Sequence, residues 1–332
     1  LPISSFLTFI TKPMKKISIA LILFAFLFSC NTKTESYPFQ DTTLNDEERL
    51  DNLISLLTLD EKINCLSTKP SVPRLGITGT RIVEGLHGLA LSGPANWAVK
   101  GKGESATTVF PQAYGLGHTW DPELLERIAS WEADECRYLT QSPKYASAGL
   151  IVLAPNADLG RDIRWGRTEE CFGEDAFLTS KLTVSFVKGL QGNDPKYWKT
   201  ASLMKHFLAN SNENVRVKNS SDFDERLFRE YYGLPFEKGI TEGGSRAYMA
   251  AYNKYNGIPC AVHPVLKEVT VNEWGQNGII ATDGGAYRLL VTHHEYYPNL
   301  LDAAVACIRS GITMFLDDYK EQLKEAIEKG ML

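Results

Sequence analysis

The sequence predicts an α/β fold, a TIM-type (β/α)8 barrel whose last unit is barely closed or clipped at its C-terminal end. Three observations predict it. Apolar runs too short to be helices alternate with helical stretches along most of the chain. Several of these runs end in a residue capable of chemistry just before the next helix begins. Barrels place such residues there, because their sites collect at the C-terminal ends of the strands. An open doubly wound sheet shares the alternation, but no G-x-G-x-x-G follows the first run.

Taken in order, the chain first presents a leader. Residues 1–13 read as lying upstream of a start at Met14. Met14-Lys15-Lys16 gives a positive n-region, and 17–28 is an apolar run broken only by Ser18. At about a dozen residues it falls short of the ~20 needed to span a bilayer, and it reads as a signal peptide. Leu27-Phe28-Ser29-Cys30 is similar to a bacterial lipoprotein lipobox, which implies cleavage before Cys30 and acylation of its thiol. Export to the periplasm or the outer surface follows, with the membrane met only through that lipid. Residues 1–30 are thus upstream sequence and leader, 31–41 a tether, and 42–332 the barrel domain.

Leu50, Leu53, Ile54 and Leu57 have helical spacing, and Leu59-Asp60-Glu61-Lys62-Ile63 starts a second short helix. A strand at 80–83 ends in Glu84-Gly85, and 94–108 is a Gly/Ser-rich loop. Asp121-Pro122-Glu123 then opens a helix with an N-cap, a proline at its first position and an acid in its first turn. A strand at 150–154 runs into a long polar loop holding Arg161, Arg164, Arg167, Glu169 and Glu170, and 177–190 returns as helix. Strands at 201–204, 246–251, 278–281 and 312–316 lead into Lys205-His206-Phe207, Tyr252-Asn253, Asp283 and Asp317. Helices fill 224–240 and 301–310, and a weaker strand is read at 289–292. Roughly seven strands are countable.

The composition is that of a globular chain of 332 residues, 43% hydrophobic and 23% charged. A formal charge of −5 argues against a nucleic-acid surface. Without Cys30, the cysteines 65, 136, 171, 260 and 307 are odd in number and lack C-x-x-C spacing, so most of them read as small buried hydrophobes. His293-His294 has no third ligand at metal spacing. Neither metal nor cofactor is expected.

The focal stretch is Gly278 to Ala286. A carboxylate at the end of a buried strand is costly unless it pairs, binds a metal or does chemistry. Asp283 is in that position, with Gly284-Gly285 allowing a sharp turn beside it. Its bland alternative is a helix N-cap. Likewise Arg164 and Arg167 read as ion-pair partners of Glu169, Glu170 or Asp175, and Trp165 as a packing residue.

Together the motifs resemble glycoside hydrolase family 3, the retaining β-glucosidase and β-xylosidase family. They are Glu84-Gly85-Leu86-His87-Gly88, Phe110-Pro111-Gln112, Thr119-Trp120-Asp121, the run Gly160 to Glu170, Lys205-His206-Phe207, Tyr252-Asn253 and Thr282-Asp283-Gly284. The resemblance implies that Asp283 is the nucleophile of a covalent glycosyl-enzyme. It implies that Glu84, Arg161, Lys205 and His206 bind the sugar, and that Tyr252 adjusts the nucleophile.

The first reading is an exo-acting β-glucosidase taking an oligosaccharide or aryl glycoside. The second is a β-xylosidase/α-L-arabinofuranosidase, the side of the family that Glu84 in its motif resembles. A third is a surface sugar-binding lipoprotein without turnover. Many members carry Trp or Cys after the nucleophile, where this chain has Gly284. The acid/base is expected from a C-terminal α/β domain of the full-length protein. Locally only Glu213, Asp222 and Asp224 could stand in.

Overall fold

The computed structural model describes residues 36–91, 107–142 and 149–332. The leader, Cys30 and most of the 94–108 loop lie outside the described residues. The chain divides into two compact units, Leu1–Leu57 and Thr58–Leu332. In the leading unit, α1 (Asp46–Leu56) starts where the Asn45 side chain accepts the Glu48 N–H. That helix was read as the first of the barrel, and it falls instead in the leading unit.

The second unit opens with α2 (Leu59–Asn64), held by a reciprocal capping box between Thr58 and Glu61. Its framework is a run of parallel strands: β1 (Ile82–Glu84), β2 (Ile151–Leu153), β3 (Ala201–Ser202), β4 (Met204–Phe207), β5 (Ala247–Ala250) and β6 (Ile279–Thr282). β1, β2 and β3 pair in that order, and so do β4, β5 and β6. Leu203 alone separates β3 from β4; its N–H reaches Val152 O at 2.8 Å, and Lys205 bridges Asn156. The two triplets therefore form one succession. The strand expected at 312–316 is reduced to single parallel bridges, Met314 to Ala281 and Phe315 to Ser67.

Alternation along these strands defines an inside and an outside. Ile151, Leu153, Leu203, Ala247, Met249, Ala281 and Met314 form one buried cluster inside the strand run. Their neighbours turn outward. Val152 packs with residues of α3 (Pro122–Gln141) and α4 (Ala176–Gln191), which cover one flank. Tyr248 and Ile280 pack with α5 (Leu234–Thr241), α6 (Ala286–Thr292) and α7 (Leu300–Arg309). A final helix, α8 (Lys320–Glu328), buries Leu323 and Ala326.

Two local readings need correction, and one element went unread. Residues 289–292 are the end of α6, not a strand, because Ala286, Tyr287 and Leu290 are buried at helical spacing. The single helix expected at 224–240 is three pieces, Glu225–Leu227, a π turn Phe228–Tyr232 and α5. Gly233 and Pro235 stand at the join, where proline lacks the N–H that would continue the ladder. A hairpin of Lys254–Tyr255 with Ile258–Pro259 was not anticipated. Its turn, Asn256-Gly257, has φ of 47° and 83°, the positive pair that a tight hairpin needs. As read, Cys136, Cys171, Cys260 and Cys307 are buried free thiols.

Candidate active site

At the C-terminal ends of the strands lies a cavity of about 420 Å³. Four strand ends deliver polar residues to it: Glu84 from β1, Lys205 and His206 from β4, Tyr252 just past β5 and Asp283 just past β6. Two consecutive residues of one strand normally point to opposite faces. Here Met204 pairs with Tyr248 and Phe207 with Ala250, so β4 carries one residue more than β5 over the same interval. Met204 and Phe207 both enter the outer core, and Phe207 meets Phe236 and Tyr248 with ring centroids 5.2 Å apart. The extra residue lets Lys205 and His206 both face the cavity.

Asp283 is not a helix cap. The N-cap of α6 is Gly285, and the Tyr287 N–H is taken by Asp317 Oδ2 at 3.0 Å. Asp283 Oδ1 accepts the Gly284 N–H at 2.7 Å, whereas its Oδ2 is buried with no hydrogen-bond partner among the described residues. Burial raises its pKa above the ordinary carboxylate value, opposed by the Gly284 N–H and by the charges of Lys205 and Arg167. Tyr252 donates to Gly284 O at 2.6 Å, and burial followed by the Asp283 charge keeps the phenol protonated.

The cations around Asp283 are individually anchored. Lys205 Nζ lies 2.7 Å from Glu84 Oε2, with the lysine side chain 4% exposed. Arg167 grips Glu170 through Nε at 2.7 Å and Nη2 at 2.6 Å, a bidentate pair of the strong kind. Arg167 Nη2 also stands 3.2 Å from His206 Nε2. A guanidinium has no lone pair to offer, so His206 Nε2 is the acceptor. The ring proton is then on Nδ1, which donates to Asp158 Oδ2 at 3.2 Å. The same oxygen takes the His206 backbone N–H at 3.0 Å. Burial, then the charges of Arg167 and Lys205, hold His206 well below its ordinary pKa. Its 3.9 Å approach to Asp283 Oδ2 is therefore that of a neutral ring.

Five of the six pocket residues anticipated from sequence meet in this cavity. Arg161 does not: it is exposed, its guanidinium 5.7 Å from the Tyr232 ring. Arg167 enters instead, so the residue read as an ion-pair partner is both that and a cavity wall. Arg164 is a surface ion-pair partner, though of Asp162 at 2.5 Å and not of the acids expected, and Trp165 is buried packing, as read. Arg216, over the Tyr252 ring at 4.6 Å, was not singled out, nor was Asp158. Position alone could have raised Asp158, four residues past a buried strand in the arginine-bearing loop. The local stand-ins for an acid are all engaged. Glu213 pairs with Arg216 at 2.9 Å, Asp222 accepts from Ser220, and Asp224 caps the Leu227 N–H at 2.8 Å.

A sequence profile described as the glycosyl hydrolase family 3 N terminal domain matches residues 96–332. The chain belongs to glycoside hydrolase family 3. A β-xylosidase of Formosa agariphila is 34% identical over 311 residues, 91% of this chain and 41% of that protein. A β-glucosidase of Rhizobium radiobacter is 33% identical over 240 residues, 70% of this chain and 27% of its own. The chain thus spans well under half the length of these curated relatives. Among solved family 3 structures, the exo-β-xylosidase XlnD with a xylobiose aziridine probe superposes with a TM-score of 0.80 at 27% identity, covering 89% of this chain and 39% of that one. β-Glucosidase 3B of Thermotoga neapolitana with α-D-glucose gives 0.70 at 26% identity, covering 86% and 40%. These likenesses carry the TIM-barrel class for the second unit.

Proposed function

We propose that this chain is the nucleophile-bearing part of an exo-acting retaining glycoside hydrolase, with Asp283 forming a covalent glycosyl-enzyme. The observation that carries it is the unpartnered Oδ2 of Asp283 inside the cavity, facing neutral His206. Lys205 and Arg167 favour the ionised form that attack requires. Glu84 and Lys205 line the same wall and can hold sugar hydroxyls. The other carboxylates of the cavity, Glu84 and Glu170, are tied to cations at 2.7 and 2.6 Å. Neither suits a proton donor, so the acid is assigned to a further α/β domain of the full-length protein.

Two sugars fit this reading. A β-xyloside is favoured by Glu84 and by the xylosidases from Formosa and Arabidopsis thaliana, matched over 91% and 92% of this chain. A β-glucoside is favoured by the Rhizobium and Thermotoga proteins. Incubation with 2-deoxy-2-fluoro-β-glucosides and -xylosides bearing a good leaving group tests the proposal, since such substrates need little acid assistance. A mass increment mapped to Asp283 is expected, and the sugar that labels faster names the substrate. Binding of the parent sugar with no adduct would leave the surface sugar-binding reading in its place.

A further inference from the structure

Beside the sugar cavity lies a second cleft of about 480 Å³, and the two share Arg216, Tyr252 and Gly284 as their common wall. Gly284, which has no side chain, is part of that wall. Its φ is not in the left-handed region, so the backbone does not require glycine. Among the described residues, a Cβ there would have only Tyr252 Oη within 4 Å, at 3.8 Å. The missing side chain leaves open space, and a group attached to a sugar in the cavity can pass across it.

The cleft is chemically one-sided. Arg216 and Arg288 line it, and no carboxylate does among the described residues. Each guanidinium is held from behind. Arg288 Nε faces Asp317 Oδ1 at 3.4 Å, where the carboxylate is 2% exposed and the arginine side chain 66%. Arg288 Nη2 stands 3.9 Å from where a Cβ of Gly285 would be, so the guanidinium overhangs the glycine pair. Arg216 Nη1 faces Glu213, whose other oxygen accepts the Trp165 Nε1–H at 3.2 Å. The cleft on the opposite flank of Gly284 differs, because it carries Asp317 and Asp318 beside Arg288 and Lys320. Charge thus distinguishes the two exits.

We propose that the Arg216–Arg288 cleft binds an anionic substituent, a carboxylate or sulfate, on the sugar unit adjoining the one in the cavity. The substrate class is then an acidic oligosaccharide rather than a neutral one. The inference rests on the glycosidase reading of the cavity and adds to it which glycosides are preferred. Planar, bidentate recognition of such oxyanions is what guanidinium groups do well.

The test is calorimetric binding by the full chain. The probes are neutral cello- and xylo-oligosaccharides, the same chains with one glucuronosyl substituent, and the same chains with one sulfate. At low salt the preferred acidic probe is expected to bind about three- to ten-fold tighter than its neutral parent. The gap should narrow as salt screens it. Arg288→Gln should abolish the gap and leave the neutral affinity unchanged. The arm that shows it, uronate or sulfate, names the anion. Equal affinity for neutral and acidic probes overturns the proposal while leaving the sugar cavity intact. A preference that survives in R288Q overturns the assignment to this cleft. Failure to bind any probe overturns the glycosidase reading as well.

Discussion

The Nε2 atom of His206 accepts from Nη2 of Arg167 at 3.2 Å, which fixes the protonation of a ring that also lies 3.9 Å from Asp283. Had the ring been cationic, it would have been the nearest counter-ion to the nucleophile. It is instead a neutral spacer that braces the guanidinium, while the positive charge comes from Lys205 and Arg167. Nitrogen-15 NMR should therefore find His206 as the Nδ1–H tautomer throughout about pH 5 to 8. A shift of Nε2 to its protonated, imidazolium value inside that window would sink the assignment, whereas a smaller change at Nδ1 would follow ionisation of its partner Asp158.

Asp283 gives the second prediction. A protonated carboxyl is not a nucleophile, and burial raises the pKa of this one above the ordinary range. The ionised fraction therefore falls as pH drops through that raised value, and the acid limb of trapping by a fluoro-glycoside should lie above the usual aspartate titration. Lys205 holds the pKa down, so Lys205→Met should move the limb to higher pH. A limb that stays put, or moves lower, contradicts this electrostatics. Asp283→Asn should cut hydrolysis of an aryl glycoside by on the order of 10³–10⁴-fold.

Much of this was legible beforehand, for reasons that can be named. Asp121, Asp175 and Asn299 cap their helices through side chains, a local signal written within three residues. The strand ends at Glu84, Tyr252 and Asp283 follow from short apolar runs bounded by glycine and polar residues, although the similar run at 289–292 belongs to a helix. What escaped depends on partners far away in the chain. Arg161 and Arg167 sit in one motif, and sequence cannot tell which faces in. The choice is made by Glu170 and by His206, which lies 39 residues from Arg167. The extra residue in β4 is equally silent, because it exists only relative to the register of β5. Asp317 capping Tyr287 across 30 residues is what releases Asp283 from a capping role.

The Arg167–Glu170 pair should be measurable as stability. Both side chains are 20% exposed, so the pair is shielded without being sealed off. Burial alone would raise Glu170, but the Arg167 hydrogen bond and charge outweigh it and its pKa ends below the ordinary glutamate value. A depressed folded pKa contributes stability above the unfolded value, lost as pH falls through the folded one. Glu170→Gln should cost about 1–3 kcal/mol near neutral pH in urea unfolding. The difference from wild type should shrink below about pH 4. A pH-independent difference would mean the pair is held by shape and not by charge.

Export concerns the leader, and we propose that Cys30 is acylated after cleavage. Radiolabelled palmitate should enter the wild-type protein in a bacterial host with lipoprotein processing. Cys30→Ala should abolish the label and leave an uncleaved or soluble product. Labelling that persists in C30A would place the lipid elsewhere or remove it from the account.

Asp158 supplies the last prediction, with the opposite sign to Glu170. Its carboxylate is buried, and burial raises its pKa to about 7, against the opposing His206 backbone N–H and the Arg167 charge. The folded state therefore holds a proton that the unfolded chain has already released above its ordinary value near 3.8. That term favours folding fully below the unfolded value and is lost as pH rises to the folded one. Wild type should thus lose stability relative to Asp158→Asn as pH climbs from about 4 to 7, and the difference should be flat beyond. Asparagine keeps an oxygen that can accept from both His206 N–H groups, so the ring should stay in place and sugar affinity should change little. Asp158→Ala removes that oxygen, and there the sugar affinity should fall together with stability. If Asn and Ala behave alike, the His206 ring is positioned by its packing and not by Asp158.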